Sequence, residues 1–560
     1  MLPHYRPKPL PSLTAKQKYE CNLQALRVLR DLRRQPDGSF GEVREATEVE
    51  RAVLGRYVGW GQTEVRKHAF DWDGRPSAEI AELGLGRDVL AGMQRSTLNA
   101  HYTSVEVVDA LWAIAQRLGF GKLRAPRVLE PSCGVGHFLG RAPLDESDLV
   151  PERVTMVELD PVTWAIARAL YPRADLRCQG FERAELPPDY FDVVIGNVPF
   201  GDYQVADASG DVPKSSCAQI HDYFVCRSVH LLRPGGVACL ITSTGTLDKA
   251  SRATRLWLAE RADLVAAYRL PGQDSPDGLS RGTFIENAGT EVTVDVLVLQ
   301  RLREPRRVAR DEGDAASGAT EVEWVGCEPV SFAERYGGTF TNEVNTYYHS
   351  HPQHVLGEWT FSKMGYGGGG AGNTSIAVRR RDGEAHLSVA DLIVRAAQGL
   401  PLDLLRSETA REKRVREAQA APAALGDLTF ATAQELALAR VLRAVRAMLA
   451  AHESAPASLP GALVRLHTYY DAYVGTYGHL RHAERSVRHP LHKYVGERWW
   501  PLVAGLEDDA GRKSRLFNGP AVARAGHLPP PTALDAVYQL LDERGEFTPQ
   551  TVAERLNEAA

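Results

Sequence analysis

The chain of 560 residues lacks the marks of several large protein classes. Its seven cysteines (Cys21, Cys133, Cys178, Cys217, Cys226, Cys239 and Cys327) include no Cys-x-x-Cys pair, so neither a zinc ribbon nor a disulfide framework is indicated. It has no run of 18 apolar residues, which argues against a membrane span. The opening MLPHYRPKPLPSL has no apolar core of signal-peptide length. The expected location is therefore the cytoplasm, with no membrane partner. A formal net charge of −5 excludes a polycation, so any contact with nucleic acid must come from local basic patches. There is no GxxxxGK[ST], so no phosphate-loop motor is visible, and there is no internal repeat. What remains is ordinary for a globular protein, 44% apolar and 24% charged. The length suggests roughly three to four domains.

Four regions differ in pattern. Residues 1–100 read as a helical N-terminal region, opening with a proline-rich arm over 1–13. The spacing of Tyr19, Leu23, Leu26 and Leu29 predicts an amphipathic helix over 14–35. Thr47, with Glu50 three residues on, predicts a capping box for a second helix ending near Gly59-Trp60-Gly61. Residues 101–303 predict an α/β domain. Strand candidates 127–130, 153–158, 191–197, 236–242, 263–270 and 293–300 alternate with helical patterns such as 161–170 and 222–232. That alternation predicts a Rossmann-like, largely parallel sheet covered by helices. The last strand follows GTEVT (289–293) too closely for a crossover helix, so it is expected to be antiparallel. Residues 304–425 are mixed, a target-recognition or linker region containing the loop MGYGGGGAGNT (364–374), and 426–560 read as a helical C-terminal domain.

VLEPSCGVGHFL (128–139) follows a predicted strand and opens a predicted helix. Gly134 and Gly136 would let a ligand approach the backbone at a helix N-terminus. The dinucleotide fingerprint is not met, because the next glycine, Gly140, comes one place late. Glu130 precedes the glycines, and Glu158 ends the next strand, 158 − 136 = 22 residues on. That is where an α/β sheet places the carboxylate that grips ribose hydroxyls. Two carboxylates flanking a glycine turn suit a nucleoside with a cationic amino-acid tail better than a pyrophosphate. The same glycines also suit a flavin or NAD domain, or a purely structural turn. Cys133 has no paired base and reads as a small packing residue.

The strand candidate FDVVIGN (191–197) runs into Asn197-Val198-Pro199-Phe200. In an open α/β sheet ligands bind outside the carboxyl ends of strands, so this turn is expected beside the Gly134 turn. An exocyclic aromatic amine is a poor nucleophile, because its lone pair is delocalised into the ring. Two acceptors aimed at its hydrogens hold it and favour pyramidalisation. The Asn197 side-chain oxygen and the Val198 carbonyl are the candidate acceptors, with no metal required. Phe200 would stack on the base, a contact of ~1–3 kcal/mol in single-stranded sites. The competing reading is a strand-ending turn without chemistry.

With these motifs in this order, 101–303 resembles the S-adenosylmethionine-dependent N6-adenine DNA methyltransferases. HYTS (101–104) is similar to their first cofactor segment, EPSCGVGHF (130–138) to their glycine motif, VELD (157–160) to their ribose-binding segment, and NVPF to their Asn-Pro-Pro-Tyr/Phe. The resemblance implies a seven-stranded methyltransferase sheet and S-adenosyl-L-methionine as cofactor. It implies that Tyr102 and Thr103 contact the methionine part. Glu130, Pro131, Cys133, Gly134, Gly136 and Asn197 would line the cofactor, Glu158 and Leu159 its ribose, and Phe181 and Glu182 its adenine. Val198 departs from the family pattern. It supplies a carbonyl as proline does but lacks the locked φ, so its surroundings must hold the turn. RYVGWGQTE (56–64), IHDYF (220–224), GTEVTVDVLVLQ (289–300), HPQHVLGEW (351–359) and HTYYDAYVGTYG (467–478) extend the likeness to large phage- and plasmid-borne methylase–helicase proteins. This implies a role in antiviral defence, restriction-modification or anti-restriction, with a helicase as a candidate partner subunit. Methylation of an RNA base or a protein glutamine, or a catalytically silent DNA-binding defence subunit, are the other readings.

Adenine N6 is out of reach in a stacked duplex, so the base must be flipped while a second region holds double-stranded DNA. Candidates are RLREPRR (301–307), VRRR (378–381), REKRVR (411–416) and 479–500. The last carries Arg481, Arg485, Arg488, Lys493 and Arg498 against Glu484 and Glu497, 5 − 2 = +3, with aromatics interleaved. A solvated helix face is the plainer account of each. His479, His482, His489 and His492 lack the cysteines or carboxylates that would complete a metal site, and Trp499-Trp500 read as core.

Overall fold

The structure, a computed structural model, describes residues 4–33, 45–96, 103–201, 203–207, 210–285, 290–311, 313–314, 318–333, 339–362, 375–406, 433–454, 459–486, 489–492, 495, 500–508, 512–514 and 517. The strands are β1 (Val128–Glu130), β2 (Val154–Glu158), β3 (Asp175–Cys178), β4 (Phe191–Asn197), β5 (Leu232–Ser243), β6 (Ala262–Leu270) and β7 (Val294–Arg301). They form one sheet in the order β3-β2-β1-β4-β5-β7-β6. The pairs β1·β2, β2·β3, β1·β4 and β4·β5 are parallel, while β7 runs antiparallel to both of its neighbours, as expected for the last strand.

The central strands read as unbroken apolar runs because both faces of the sheet are covered. Val193, Ile195, Val237, Cys239 and Ile241 share one core with Leu26, Leu29 and Trp60 of the N-terminal region. Leu129, Val194, Ala238 and Leu240 share the other with Trp324 and Tyr347. β3 (DLRC) was not legible in the sequence. It is a short edge strand, so its residues stay partly or wholly exposed and carry no apolar signal.

The first helix spans Ala15–Arg33. Thr47 and Glu50 form the expected capping box, but that helix ends at Leu54 and not near Gly59-Trp60-Gly61. Gly55 closes it where a Cβ would run into the Tyr5 ring, and Trp60 turns back into the core. The proline-rich arm is packed down: the His4 ring bonds the Leu139 carbonyl at 3.1 Å, and Tyr5 meets Tyr171 edge-on.

The chain divides into two compact units, Met1–Ser407 and Glu408–Ala560. In the second, the helices Ala433–Ser454 and Leu459–Tyr477 bury Leu438, Leu442 and Val445 with Leu466, Tyr470 and Tyr473. Trp500 lies in this core, as expected, and donates to Glu484 at 2.9 Å, while Trp499 lies outside the described residues. Among the described residues no helix is long and apolar enough to cross a membrane.

Asp295, inside the apolar run of β7, is fully buried. The register sets it opposite Arg269 of β6, whose guanidinium donates twice to it at 2.8 Å. The same guanidinium meets Asp248 at 2.6 Å and lies 4.3 Å over the Tyr348 ring. One arginine therefore ties two strands to the segment that covers the second face. Removing Asp295 leaves Arg269 paired with Asp248 but takes away two of its charge-assisted hydrogen bonds. Asp295→Ala is expected to lower the stability of the first unit by about 1.5–3 kcal/mol in urea unfolding.

Candidate functional site

β1 lies between β2 and β4, so the chain order of the strands reverses at it, and this is where open α/β sheets hold ligands. The carboxyl ends of these three strands open into a cavity of about 610 Å³. Glu130, Pro131, Cys133 and Gly134 reach it from β1, Glu158 and Leu159 from β2, and Asn197, Val198, Pro199 and Phe200 from β4. Phe181 and Glu182, which follow β3, and Thr103 complete the wall. Tyr102 lies outside the described residues. Gly136 is the one described residue of the expected set that is not on the wall. Its φ is +85°, and a Cβ there would sit 2.6 Å from the Tyr171 ring and 2.8 Å from Met156. It is a glycine for packing behind the loop. The expected helix after it is a single turn, His137–Gly140, too short for a strong N-terminal dipole.

The loop after β1 is held by β2. Gly134 N–H donates to Glu158 Oε2 at 2.8 Å, and Cys133 N–H to the Val157 carbonyl at 2.9 Å. Glu158 Oε1 accepts the Asp160 N–H at 2.8 Å, and Asp160 caps the helix Pro161–Leu170. Glu158 keeps some exposure to the cavity, yet burial of its carboxyl pushes its pKa up to about 7 against these backbone donors. Glu130 is fully buried, and its Oε2 has no hydrogen-bond partner. Burial lifts its pKa well above the usual range; the N–H groups of Leu139 and Phe138 draw it down and Glu158 lifts it further. An orphaned buried carboxyl oxygen beside a second raised carboxyl wants a cation and hydroxyl donors. That donor set fits a nucleoside with an ammonium tail and would repel a polyphosphate. Cys133 is buried and its thiol is pushed far up by burial, consistent with packing.

Asn197 ends β4. Its Nδ2 donates to Thr103 Oγ1 at 3.2 Å, its backbone carbonyl accepts Ser132 Oγ at 2.7 Å, and its side-chain oxygen is buried. Val198 is buried, and its N–H donates to the Ile241 carbonyl of β5 at 3.0 Å. Phe200 is half-buried on the wall. Several wall residues had not been singled out: Ser132, His137, Gln179, Tyr203 and Phe224. Ser132 and His137 stand inside the glycine motif, where polarity amid small and apolar residues was an available signal. Gln179 follows β3 and shares its illegibility. Burial depresses the His137 pKa, against the Thr103 carbonyl 3.3 Å from its Nδ1.

The basic segments fare differently. Arg301, Arg306 and Arg307 pair with Asp189, Asp263 and Asp314, and Arg379 and Arg381 with Glu358 and Glu384. Arg380 is buried and donates to the Leu387 carbonyl at 2.6 Å. VRRR is thus largely an internal brace, and 411–416 lies outside the described residues. In 479–500, Arg481 is half-buried with its Nε 3.3 Å from the Ala504 carbonyl and its backbone N–H on Glu507. Arg485 ends the helix His482–Arg485; its side chain, and all of Arg488, Lys493 and Arg498, lie outside the described residues.

The raised Glu158 pKa has a consequence for stability. The folded state holds a proton that the unfolded chain releases near pH 4.5, so this contribution is fully present below that pH. It is lost as pH rises to about 7 and then levels off. Its upper bound is roughly 3 kcal/mol. Urea midpoints between pH 5 and 7.5 are expected to fall for the wild-type chain and to fall less for Glu158→Gln.

Known proteins share parts of this chain. Over 223 residues it is 29% identical to the Defense against restriction protein B of Escherichia phage P1, covering 38% of this chain and 9% of that protein. The chain thus spans under a tenth of the relative's length. Among solved structures, the methyltransferase subunit of a type I restriction-modification system from Streptococcus thermophilus is 19% identical, covering 40% of this chain and 53% of that one, with a TM-score of 0.29. A class I S-adenosylmethionine-dependent methyltransferase from Listeria monocytogenes is 15% identical, covering 53% and 96%, with a TM-score of 0.32. Residues 178–273, which run from the last residue of β3 through β4, β5 and β6 and include the Asn197 turn, match the Eco57I restriction-modification methylase family.

Proposed function

We propose that this chain transfers a methyl group from S-adenosyl-L-methionine to N6 of an adenine flipped out of double-stranded DNA. The observation that carries the reading is the meeting of two motifs in one cavity: the carboxylate-flanked Gly134 loop and the Asn197 turn. The cofactor, when bound, supplies an electrophilic methyl group on a sulfonium. Glu130 holds the ammonium end, and Glu158 accepts from the ribose hydroxyls. Leu159 lies beside Glu158 at the ribose, and Phe181 flanks the cofactor's adenine with Glu182 at its edge. At the target base, the Asn197 side-chain oxygen and the Val198 carbonyl accept from the N6 hydrogens, and Phe200 stacks on the ring. Because the amide oxygen is buried, an entering base has to displace what covers it. Rate then comes from alignment of amine and methyl, which is positioning catalysis.

The match to a restriction-modification methylase family and the likeness to a phage defence-against-restriction protein support a place in restriction or anti-restriction; a helicase is the candidate partner implied by the resemblance of the sequence to methylase–helicase proteins. Phosphate contacts are assigned to the 479–500 segment; within it the Arg481 Nε lies 3.3 Å from the Ala504 carbonyl.

Tritiated methyl transfer into unmethylated DNA tests the reading. Asn197→Ala is expected to cut the rate by roughly 100-fold or more, with cofactor affinity unchanged. Cofactor binding without transfer to any DNA would leave a catalytically silent DNA-binding subunit as the better account.

A further inference from the structure

The Asn197–Val198 peptide is held at both of its polar groups. Its carbonyl accepts Ser132 Oγ at 2.7 Å, and its N–H donates to the Ile241 carbonyl at 3.0 Å. A third bond, Asn197 Nδ2 to Thr103 Oγ1 at 3.2 Å, holds the side chain. The partners come from three separate places: the segment ahead of the helix Val105–Arg117, the loop after β1, and β5. Thr103 is itself fixed. It is buried, its carbonyl meets the His137 ring, and the next residue, Ser104, caps the helix.

A proline at 198 has no N–H and could not make the Ile241 bond. Valine therefore replaces a torsional lock with a hydrogen-bonded clamp. Pro199 assists, because a residue before proline is kept out of the helical region. The hydroxyl of Thr103 takes the NH₂ side of the Asn197 amide, so the amide oxygen is turned the other way.

We propose that Thr103 and Ser132 are positioning residues for Asn197. Thr103 sets which end of the amide faces the target amine, and Ser132 holds the peptide from which the turn starts. The inference rests on the methyl-transfer reading and assigns Thr103 to the target-base side of the cavity, apart from any contact with the cofactor. Ser132 carries weight because residue 198 is not proline.

Four variants of the full chain test this: Thr103→Val, Thr103→Ser, Ser132→Ala and Val198→Pro, with Ser132→Ala also made in the Val198→Pro background. Single-turnover methyl transfer, S-adenosylmethionine Kd by calorimetry, and amide hydrogen exchange of the 193–201 segment are measured. Thr103→Val is expected to slow transfer about 10- to 100-fold, while Kd changes by less than about threefold and Thr103→Ser restores the rate. A Kd that rises in step with the rate loss would make Thr103 a cofactor contact and overturn its assignment. Ser132→Ala should slow transfer in the wild-type chain and do so much less in the Val198→Pro background, where the ring sets φ. The same factor in both backgrounds would overturn the clamp. If the wild-type chain methylates no DNA, the exchange measurement still decides. Thr103→Val and Ser132→Ala should each speed exchange at Val198 about tenfold. Unchanged exchange refutes the positioning roles, whereas absent transfer alone refutes only the methyl-transfer reading.

Discussion

Everything at the cavity depends on β1 lying between β2 and β4. β1 is only three residues long, yet it pairs on both sides, with Val154–Met156 of β2 and with Val193 and Val194 of β4. Parallel pairing on both sides forces three segments far apart in sequence to end at one edge. The Gly134 loop, Glu158 and Asn197 meet for that reason and no other. A parallel sheet cannot be closed by tight hairpins, so the returning helices cover both faces, and polar groups reach a shared space only at the strand ends.

Two buried acidic residues in this molecule show what distinguishes a structural charge from an available one. Asp295 lies within β7, and its two oxygens are taken by one guanidinium at 2.8 Å each. It is satisfied, and the strand tolerates it. Glu130 is as deeply buried, but one of its oxygens has no partner, and its neighbour Glu158 adds repulsion. A carboxyl in that state stays protonated or waits for a cation. Holding it there is unfavourable for the folded chain alone, and such strain is what a binding site carries when its ligand provides the missing charge. The contrast was not readable from the residues, since both carboxylates sit in apolar strands in the sequence.

How much was legible follows the same division. Strands buried on both faces announced themselves as apolar runs. β3 was silent because an edge strand needs no apolar face. Gly134 and Gly136 look equivalent in the sequence, yet one N–H holds Glu158 and the other residue only makes room for Tyr171 and Met156. Which glycine meets a ligand depends on what lies behind the loop, and the sequence carries no record of that. The arginines of 301–307 and 378–381 illustrate a related point. A basic run states charge but not partners, and most of these side chains are paired within the chain or buried in it.

The valine at 198 couples the turn to the rest of the sheet. A proline there would fix one torsion within its own residue, independent of the fold. Valine leaves that torsion to the environment, and the environment answers with Ser132, Ile241 and Thr103. Each of those bonds depends on an element being in register: β1 for the Ser132 loop, β5 for Ile241, and the capped helix for Thr103. The geometry of the turn is then a property of the assembled sheet and no longer of a local dipeptide. Rigidity at the turn therefore becomes sensitive to events elsewhere in the domain, which a proline-locked turn is not. A binding event that shifts β5 or the Thr103 segment reaches the turn through a single hydrogen bond in each case, Val198 N–H to the Ile241 carbonyl at 3.0 Å and the Asn197 amide to Thr103 Oγ1 at 3.2 Å.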